Sequence, residues 1–207
     1  GYSAARETFL MLELHQFRHS AFCEKARLVL AAKGLEYSVV EVVPGVGQLE
    51  LYRLSGQRQV PVLVDGPEVI ADSTAIALHL EARHPQPALL PVDPAERAQV
   101  RLLEDWADTT LAAGARLALV QAAAADPVLR TALLPEATPD GLRSLVGALP
   151  GGLLAGLGQG VDQGALQELR SNLEQLTVLV QAQPYLVGSA LSLADLAVAG
   201  QLSLLKF

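Results

Sequence analysis

The chain has 207 residues, a net charge of −7, and a composition that is 51% apolar and 18% charged. This length suits one large domain or two small ones, and the apolar content excludes a mainly disordered chain. Because the basic residues form no patch, we expect neither nucleic acid nor an anionic membrane surface as a partner. Cys23 is the only cysteine, so no internal disulfide can form, and we expect a cytoplasmic protein.

Two terminal segments bear on membrane and targeting predictions. The most apolar window, residues 185–207, contains Asp195 near its middle. A charge at that depth is costly in a bilayer, so we predict a buried helix there. Residues 1–10 lack the basic start and apolar core of a secretory signal, and the only Met is Met11. We therefore expect residues 1–10 to be a leader or an added segment.

The first part of the chain predicts a small α/β domain over residues 11–85. Ser20 and Gly34 are suited to begin and end a helix. Asp65-Gly66 is typical of a tight hairpin turn. In chain order the predicted elements are strand 11–17, helix 20–33, strand 37–43, a short helical connection, strands 60–64 and 69–71, and helix 72–84.

The second part predicts an all-helical domain. Four prolines between Pro85 and Pro94 indicate a linker, placed at residues 86–94. Residues 95–207 show no strand pattern, and long helices are predicted over 95–125 and 164–182. Seven glycines fall within residues 147–164, so we expect a mobile surface loop there.

Common catalytic motifs do not occur. The four histidines have no familiar metal-ligand spacing, so no metal site is expected, and there is no G-x-G-x-x-G, Walker A loop or G-x-S-x-G elbow. The remaining candidate is the first strand-to-helix junction, where Ser20 and Cys23 lie in the first turn of a helix. Unpaired amides and the helix dipole favour negative charge there, as on a thiolate. The alternative is that Ser20 only caps the helix and Cys23 only packs.

Four segments taken together resemble the cytosolic glutathione transferases. The family combines a thioredoxin-like α/β N-terminal domain with an all-α C-terminal domain, which matches the predicted order of elements. The four segments are Ser20-Ala21-Phe22-Cys23-Glu24-Lys25-Ala26-Arg27 with Ala32-Lys33-Gly34-Leu35, then Val60-Pro61-Val62-Leu63, then Asp72-Ser73-Thr74-Ala75-Ile76, and finally Tyr185-Leu186-Val187-Gly188 with Ser192-Leu193-Ala194-Asp195.

The resemblance implies a binding site for glutathione as co-substrate. Pro61 would be cis, leaving the Val60 backbone to pair with the cysteinyl part of glutathione. Asp72 and Ser73 would hold the γ-glutamyl end, and an ordinary helix cap is their alternative. The glycyl end is assigned to Gln59, with Arg58 and Gln48 as the other possibilities.

The resemblance also implies a function. We expect a homodimer that conjugates the glutathione thiolate to small electrophiles, in the manner of detoxification enzymes, with Ser20 as the catalytic residue. Leu102 and Trp106, four apart on one helix, would line the electrophile site, or else belong to the core. Ser192 and Asp195 resemble the family's capping box, a folding element.

Two other functions are kept open. One is a noncatalytic protein of the same fold that binds a ligand or partner; the other is glutathione-dependent redox chemistry with Cys23 as nucleophile. Peroxidase or dehalogenase use of the same thiolate is also compatible with the sequence. The chain ends twelve residues after Asp195, where the family usually continues, so we expect a truncated helical domain that lacks part of the electrophile site.

Overall fold

The computed structural model describes residues 12–43, 45–136, 138–152 and 163–206. The predicted leader, residues 1–10, lies outside them. The chain folds as a four-stranded mixed sheet with helices, followed by a region whose described residues form helices and loops. This is the α/β domain followed by an all-α domain that the sequence predicts.

The sheet has the strand order β2-β1-β3-β4. β1 runs parallel to β2 and antiparallel to β3, and β4 is antiparallel to β3. The strands are β1 (Leu12–Gln16), β2 (Tyr37–Glu41), β3 (Val62–Asp65) and β4 (Glu68–Ala71). The predicted third strand therefore begins two residues late, because Pro61 has no N–H to donate to a sheet ladder.

Three helices belong to the first domain: α1 (Ala21–Ala32), α2 (Val46–Ser55) and α3 (Ser73–Arg83). Ser20 caps α1, and Gly34 follows its end at φ +65°, the left-handed conformation that glycine tolerates best. Asp72 caps α3. The sequence predictions for these helices, including the short helical connection before β3, are confirmed.

The second region contains α4 (Pro94–Trp106), α5 (Ala112–Ala125), α6 (Pro127–Ala132), α7 (Asp140–Ala148), α8 (Gln163–Ala182) and α9 (Leu193–Leu202). A π-helical segment, Ala107–Leu111, joins α4 to α5, so the long helix predicted over 95–125 is continuous but not uniformly α-helical. The long helix predicted over 164–182 is α8.

The predicted glycine-rich loop is wrong at both ends. Gly147 lies within α7 and Gly164 within α8, while residues 153–162 are outside the described residues. A Cβ at Gly147 would lie 3.0 Å from the side chain of Thr131 on α6. Glycine at this position therefore permits two helices to approach closely. The number of glycines in a segment does not distinguish a glycine at a helix contact from a glycine in a loop.

A continuous apolar core joins the two regions. It includes Leu14 and Leu80 from the first domain and Leu111 and Leu193 from the second. α1 packs directly on α9, and a Cβ at Gly200 would lie 3.1 Å from the Ala21 carbonyl oxygen. The two regions thus share one core.

The apolar window near the C-terminus forms α9, most of which is buried. Asp195 accepts hydrogen bonds from the Ser192 amide at 2.8 Å, the Ser192 hydroxyl at 2.7 Å and the Leu186 amide at 2.8 Å. Among the described residues, no helix has the length and apolar character needed to cross a membrane. The predicted capping box is confirmed, and its carboxylate fixes the loop before α9 to the helix.

Candidate active site at the carboxyl end of strand β1

The sheet register brings three segments of the first domain to one edge. His15, near the end of β1, lies opposite Val62 at the start of β3. Val62 in turn lies opposite Ala71, the last residue of β4. The segments that follow β1, precede β3 and follow β4 therefore meet at this edge. They contain Ser20, Val60-Pro61 and Asp72-Ser73.

Ser20 lies at the N-terminus of α1. Its Oγ accepts a hydrogen bond from the Cys23 amide at 3.3 Å, and its backbone is extended, as expected of a helix cap. Because the oxygen is the acceptor in that contact, the contact does not use the hydroxyl proton. The helix dipole adds a favourable field for negative charge at the same position.

Cys23 differs sharply from Ser20 in its surroundings. Its side chain is fully buried, and burial raises the pKa of the thiol despite the nearby Ser20 hydroxyl and Arg27. A buried thiol with a raised pKa is mostly neutral and poorly accessible, the opposite of a reactive cysteine. This environment argues against Cys23 as a nucleophile.

The Val60–Pro61 peptide bond is cis, as the resemblance implies. Pro61 is buried, and its carbonyl oxygen accepts a hydrogen bond from the Asp72 amide at 3.3 Å. Val60 precedes the first paired residue of β3 and packs with Phe17 against a small apolar cluster. The segment before β3 and the segment after β4 are therefore joined directly.

Asp72 adopts a positive φ of +84°, the only such value among the described non-glycine residues. This conformation is uncommon for a residue with a side chain and often marks a functional position. Its carboxylate accepts hydrogen bonds from the amides of Thr74 at 2.9 Å and Ala75 at 3.0 Å. Ser73 is buried, and its Oγ has no hydrogen-bond partner among the described residues.

The predicted contacts for the glycyl end lie on the loop before the cis proline. Gln59 and Arg58 are exposed, and the Arg58 guanidinium lies 5.5 Å from the centre of the Tyr52 ring. The Gln48 side-chain amide donates to the Arg58 carbonyl at 3.4 Å. Gln48 therefore supports the loop, while the side chains of Arg58 and Gln59 face solvent.

A buried ionic network behind this edge is absent from the sequence prediction. Lys25 on α1 is fully buried, and its Nζ donates to Thr74 at 2.9 Å, Glu104 at 2.6 Å and Asp108 at 2.5 Å. Gln201 on α9 also donates to Asp108, at 3.1 Å. These side chains connect α1, the first turn of α3 and the helical domain.

One signal for this network exists in the sequence. Lys25 is four residues from both Ala21 and Val29, so it interrupts the apolar face of α1. A charged residue at a core position requires a buried counter-ion. The sequence does not show which carboxylates are its partners, since Glu104 and Asp108 are about eighty residues away along the chain.

Charged groups also surround the loop between β1 and α1. Arg18 forms an ion pair with Glu136 from the helical domain, and its backbone N–H donates to Glu41 at 2.6 Å. Burial lowers the pKa of His19, and the neighbouring cations Arg18 and Lys206 lower it further. Charges of both signs therefore lie around the residues just before Ser20.

The residues predicted to line the electrophile site are placed differently from each other. Leu102 is 71% exposed on α4, whereas Trp106 is partly buried against the main core. A cleft of about 430 Å³ lies elsewhere, between β2 and α2. Its lining includes His15 and Leu51 but none of the predicted glutathione contacts.

The order of elements and the site at this edge define a thioredoxin-like domain followed by a helical domain. Residues 14–88 match the family model described as the N-terminal domain of glutathione S-transferase. A solved structure, FzlA from C. crescentus, superposes with a TM-score of 0.70 and 26% identity, covering 96% of this chain and 79% of that chain.

Two curated relatives match the chain more locally. A stringent starvation protein A homolog from Pasteurella multocida (strain Pm70) is 36% identical over 109 residues, which cover 50% of this chain and 51% of the relative. Glutathione S-transferase Z1 from Arabidopsis thaliana is 37% identical over 90 residues, or 42% and 41%. The chain spans about half the length of the curated relatives it matches. Its residues 14–88 thus resemble the N-terminal domain of the glutathione S-transferases.

Proposed function

We propose that the chain is a glutathione transferase, which conjugates the glutathione thiolate to small electrophilic substrates. The observation that carries this proposal is the convergence of Ser20, the Val60-Pro61 segment and Asp72 at one edge of the sheet. Two helix N-termini begin at this edge, and both favour bound negative charge. Glutathione carries the carboxylates and the thiol that such a site can bind.

The proposed binding mode assigns one part of glutathione to each segment. The γ-glutamyl end lies at the start of α3, where Ser73 has a buried hydroxyl without a partner and Asp72 holds the helix end in an uncommon conformation. The cysteinyl part pairs with the backbone of Val60 beside Pro61. The exposed Gln59 contacts the glycyl end. The orphaned Ser73 hydroxyl supports this assignment, because buried polar groups normally have partners.

Ser20 activates the thiol in this proposal. A free thiol of pKa about 8.5 is only about 3% thiolate at pH 7. A hydroxyl that donates to the thiolate, together with the dipole of α1, lowers that pKa by about one to two units. The thiolate fraction then rises about tenfold or more. The electrophile lies beside it, with Leu102 and Trp106 as the proposed contacts from α4.

Titration calorimetry with glutathione tests the binding site, and Ser20→Ala tests the catalytic step. We expect Ser20→Ala to lower the conjugation rate with an aryl halide by about tenfold at pH 7 and by less at about pH 9, with little change in glutathione affinity. Ser38→Ala is the matched control, since its hydroxyl lies at the other end of the sheet and contacts Leu12. Equal rates in both variants would remove Ser20 from the mechanism.

We propose in addition that the protein is a cytoplasmic homodimer, in which the first domain of one subunit packs against the helices of the other. The resemblance to the glutathione transferases supports this arrangement. Analytical ultracentrifugation at micromolar concentration tests this arrangement. A sample in which the monomer is the only sedimenting species would contradict it.

A second candidate function is a noncatalytic protein that uses this fold to bind a protein partner. The apolar surface formed by α2 and the loop before it favours this candidate, because Val43, Val46, Leu49 and Tyr52 are all about half exposed or more, with Val46 at 76%. Exposed apolar patches often mark interaction sites. This candidate would be favoured if the protein binds glutathione but catalyses none of three reactions with the tested substrates, namely conjugation, peroxide reduction and dehalogenation. The redox alternative through Cys23 has less support, since that thiol is buried.

A further inference from the structure

A second cluster of ionisable side chains lies at the opposite end of the sheet from the proposed glutathione site. Asp65 ends β3 and Glu68 begins β4, on either side of a tight turn in which Gly66 adopts a φ of +60°. His79 lies on α3, two turns after the helix begins. A hairpin and a helix therefore hold three potential ligands in fixed relation to one another.

The ligand atoms of these three side chains are close together. One atom from each of Asp65, Glu68 and His79 can be chosen so that all lie within 4.8 Å of one another. The imidazole Nε2 lies 2.8 Å from Asp65 Oδ2, and Nδ1 lies 3.6 Å from Glu68 Oε2. The side chains of His79 and Asp65 are 16% and 18% exposed, so both are largely withdrawn from water.

Both imidazole nitrogens lie near carboxylate oxygens, so a cation shared by the three side chains, whether a proton on the imidazole or a metal ion, would satisfy them. A neutral imidazole has one N–H, so its other nitrogen would direct a lone pair at a carboxylate. Arg83 contacts Asp65 at 3.5 Å and Glu68 at 3.2 Å. With a neutral His79 the four side chains still carry one net negative charge.

We propose that Asp65, Glu68 and His79 form a binding site for a divalent transition-metal ion, with Zn²⁺ as the best match. One imidazole nitrogen and two carboxylate oxygens are ligands that Zn²⁺ accepts at about 2.0 to 2.2 Å. Glu68 is half exposed, so water can complete the coordination. Three protein ligands with an open position form the kind of site in which Zn²⁺ keeps a water.

Arg83 competes with the metal in this proposal. Its guanidinium occupies the carboxylates that the ion would bind, and the side chain is 49% exposed, so it can move into solvent without leaving a cavity. Histidine spacing does not indicate this site, because the two carboxylates come from other elements, β3 and β4. The site requires the hairpin and the helix to be folded together.

Zn²⁺ titration of the full chain by calorimetry tests the proposal. We expect one site per chain, with affinity reduced about tenfold or more in both His79→Gln and Glu68→Gln, since loss of a ligand exceeds loss of a supporting contact. Arg83→Gln should bind Zn²⁺ more tightly than wild type. His84→Gln, which changes a histidine at the end of the same helix, is the matched control and should bind like wild type.

Several outcomes would overturn the site. They are the absence of Zn²⁺ binding to the wild type, unchanged affinity in both ligand variants, and an Arg83→Gln variant that binds no more tightly than wild type. Circular dichroism of each variant without metal checks its fold. If His79→Gln is misfolded, Glu68→Gln decides the question, because the side chain of Glu68 is half exposed and its replacement leaves the core unchanged.

Discussion

Replacement of Lys25 by methionine should destabilise the protein more than any surface substitution. Methionine retains most of the volume but removes the ammonium group, which leaves Glu104 buried at 2% exposure without its main partner. Breaking a buried ion pair from one side costs about 3 to 5 kcal/mol. Arg101 lies 2.9 Å from the other oxygen of Glu104 but is 40% exposed, so it compensates only in part.

Urea denaturation monitored by circular dichroism measures this loss as a decrease in the free energy of unfolding. The double variant Lys25→Met with Glu104→Gln should recover part of the stability, because no uncompensated carboxylate then remains at that position. Arg53→Met, an exposed change on α2, is the control and should stay within about 0.5 kcal/mol of wild type. Either of two results would refute this account of the network. One is a loss of unfolding free energy below about 1 kcal/mol in Lys25→Met, and the other is a loss in the double variant equal to the sum of the losses in the two single variants.

Three further predictions concern a titrating group, a thiol and a helix crossing. Burial and Arg18 hold the pKa of His19 below the ordinary histidine value of 6.5, so the unfolded chain binds that proton more readily than the folded chain does. Stability should therefore decline as pH falls below about 6.5, and His19→Asn should flatten this slope in urea titrations. The Cys23 thiol, buried and with a raised pKa, should react with a disulfide reagent only after the protein is unfolded, and rapid labelling of the native protein would contradict its burial. Gly114→Ala should lower the melting temperature, since its Cβ would lie 2.8 Å from the Leu169 Cβ where α5 crosses α8. We expect this overpacking to cost about 1 to 3 kcal/mol of stability. An unchanged melting temperature would mean that the helices can separate freely.

The edge of the sheet that carries the proposed glutathione site could be located from sequence because its signals are local. Ser20 caps a helix, Asp65-Gly66 closes a hairpin, and Asp72 begins the next helix, each within a few residues of the pattern that predicts it. Hairpin pairing places the residue after β4 beside the residue before β3 once the turn is known. The resemblance then assigned roles to these positions. The functional roles remain proposals for all six of these residues, which are Ser20, Gln59, Val60, Pro61, Asp72 and Ser73.

Other features depended on contacts between distant parts of the chain. The partners of Lys25 come from α3, α4 and the π-helical segment, and no local pattern identifies which carboxylates meet a buried lysine. Gly147 was predicted to be part of a loop, because the side chain of Thr131 that crowds it belongs to another helix.

The sequence by itself determined the order of strands and helices, the helix caps and the edge that is proposed to bind glutathione, because hydrophobic periodicity and turn chemistry act over a few residues. Tertiary structure decided the burial of Cys23, the ionic network of Lys25 and the grouping of Asp65 and Glu68 with His79. Burial and electrostatic pairing depend on which elements pack together. That packing is set by the whole core, and no single segment contains it.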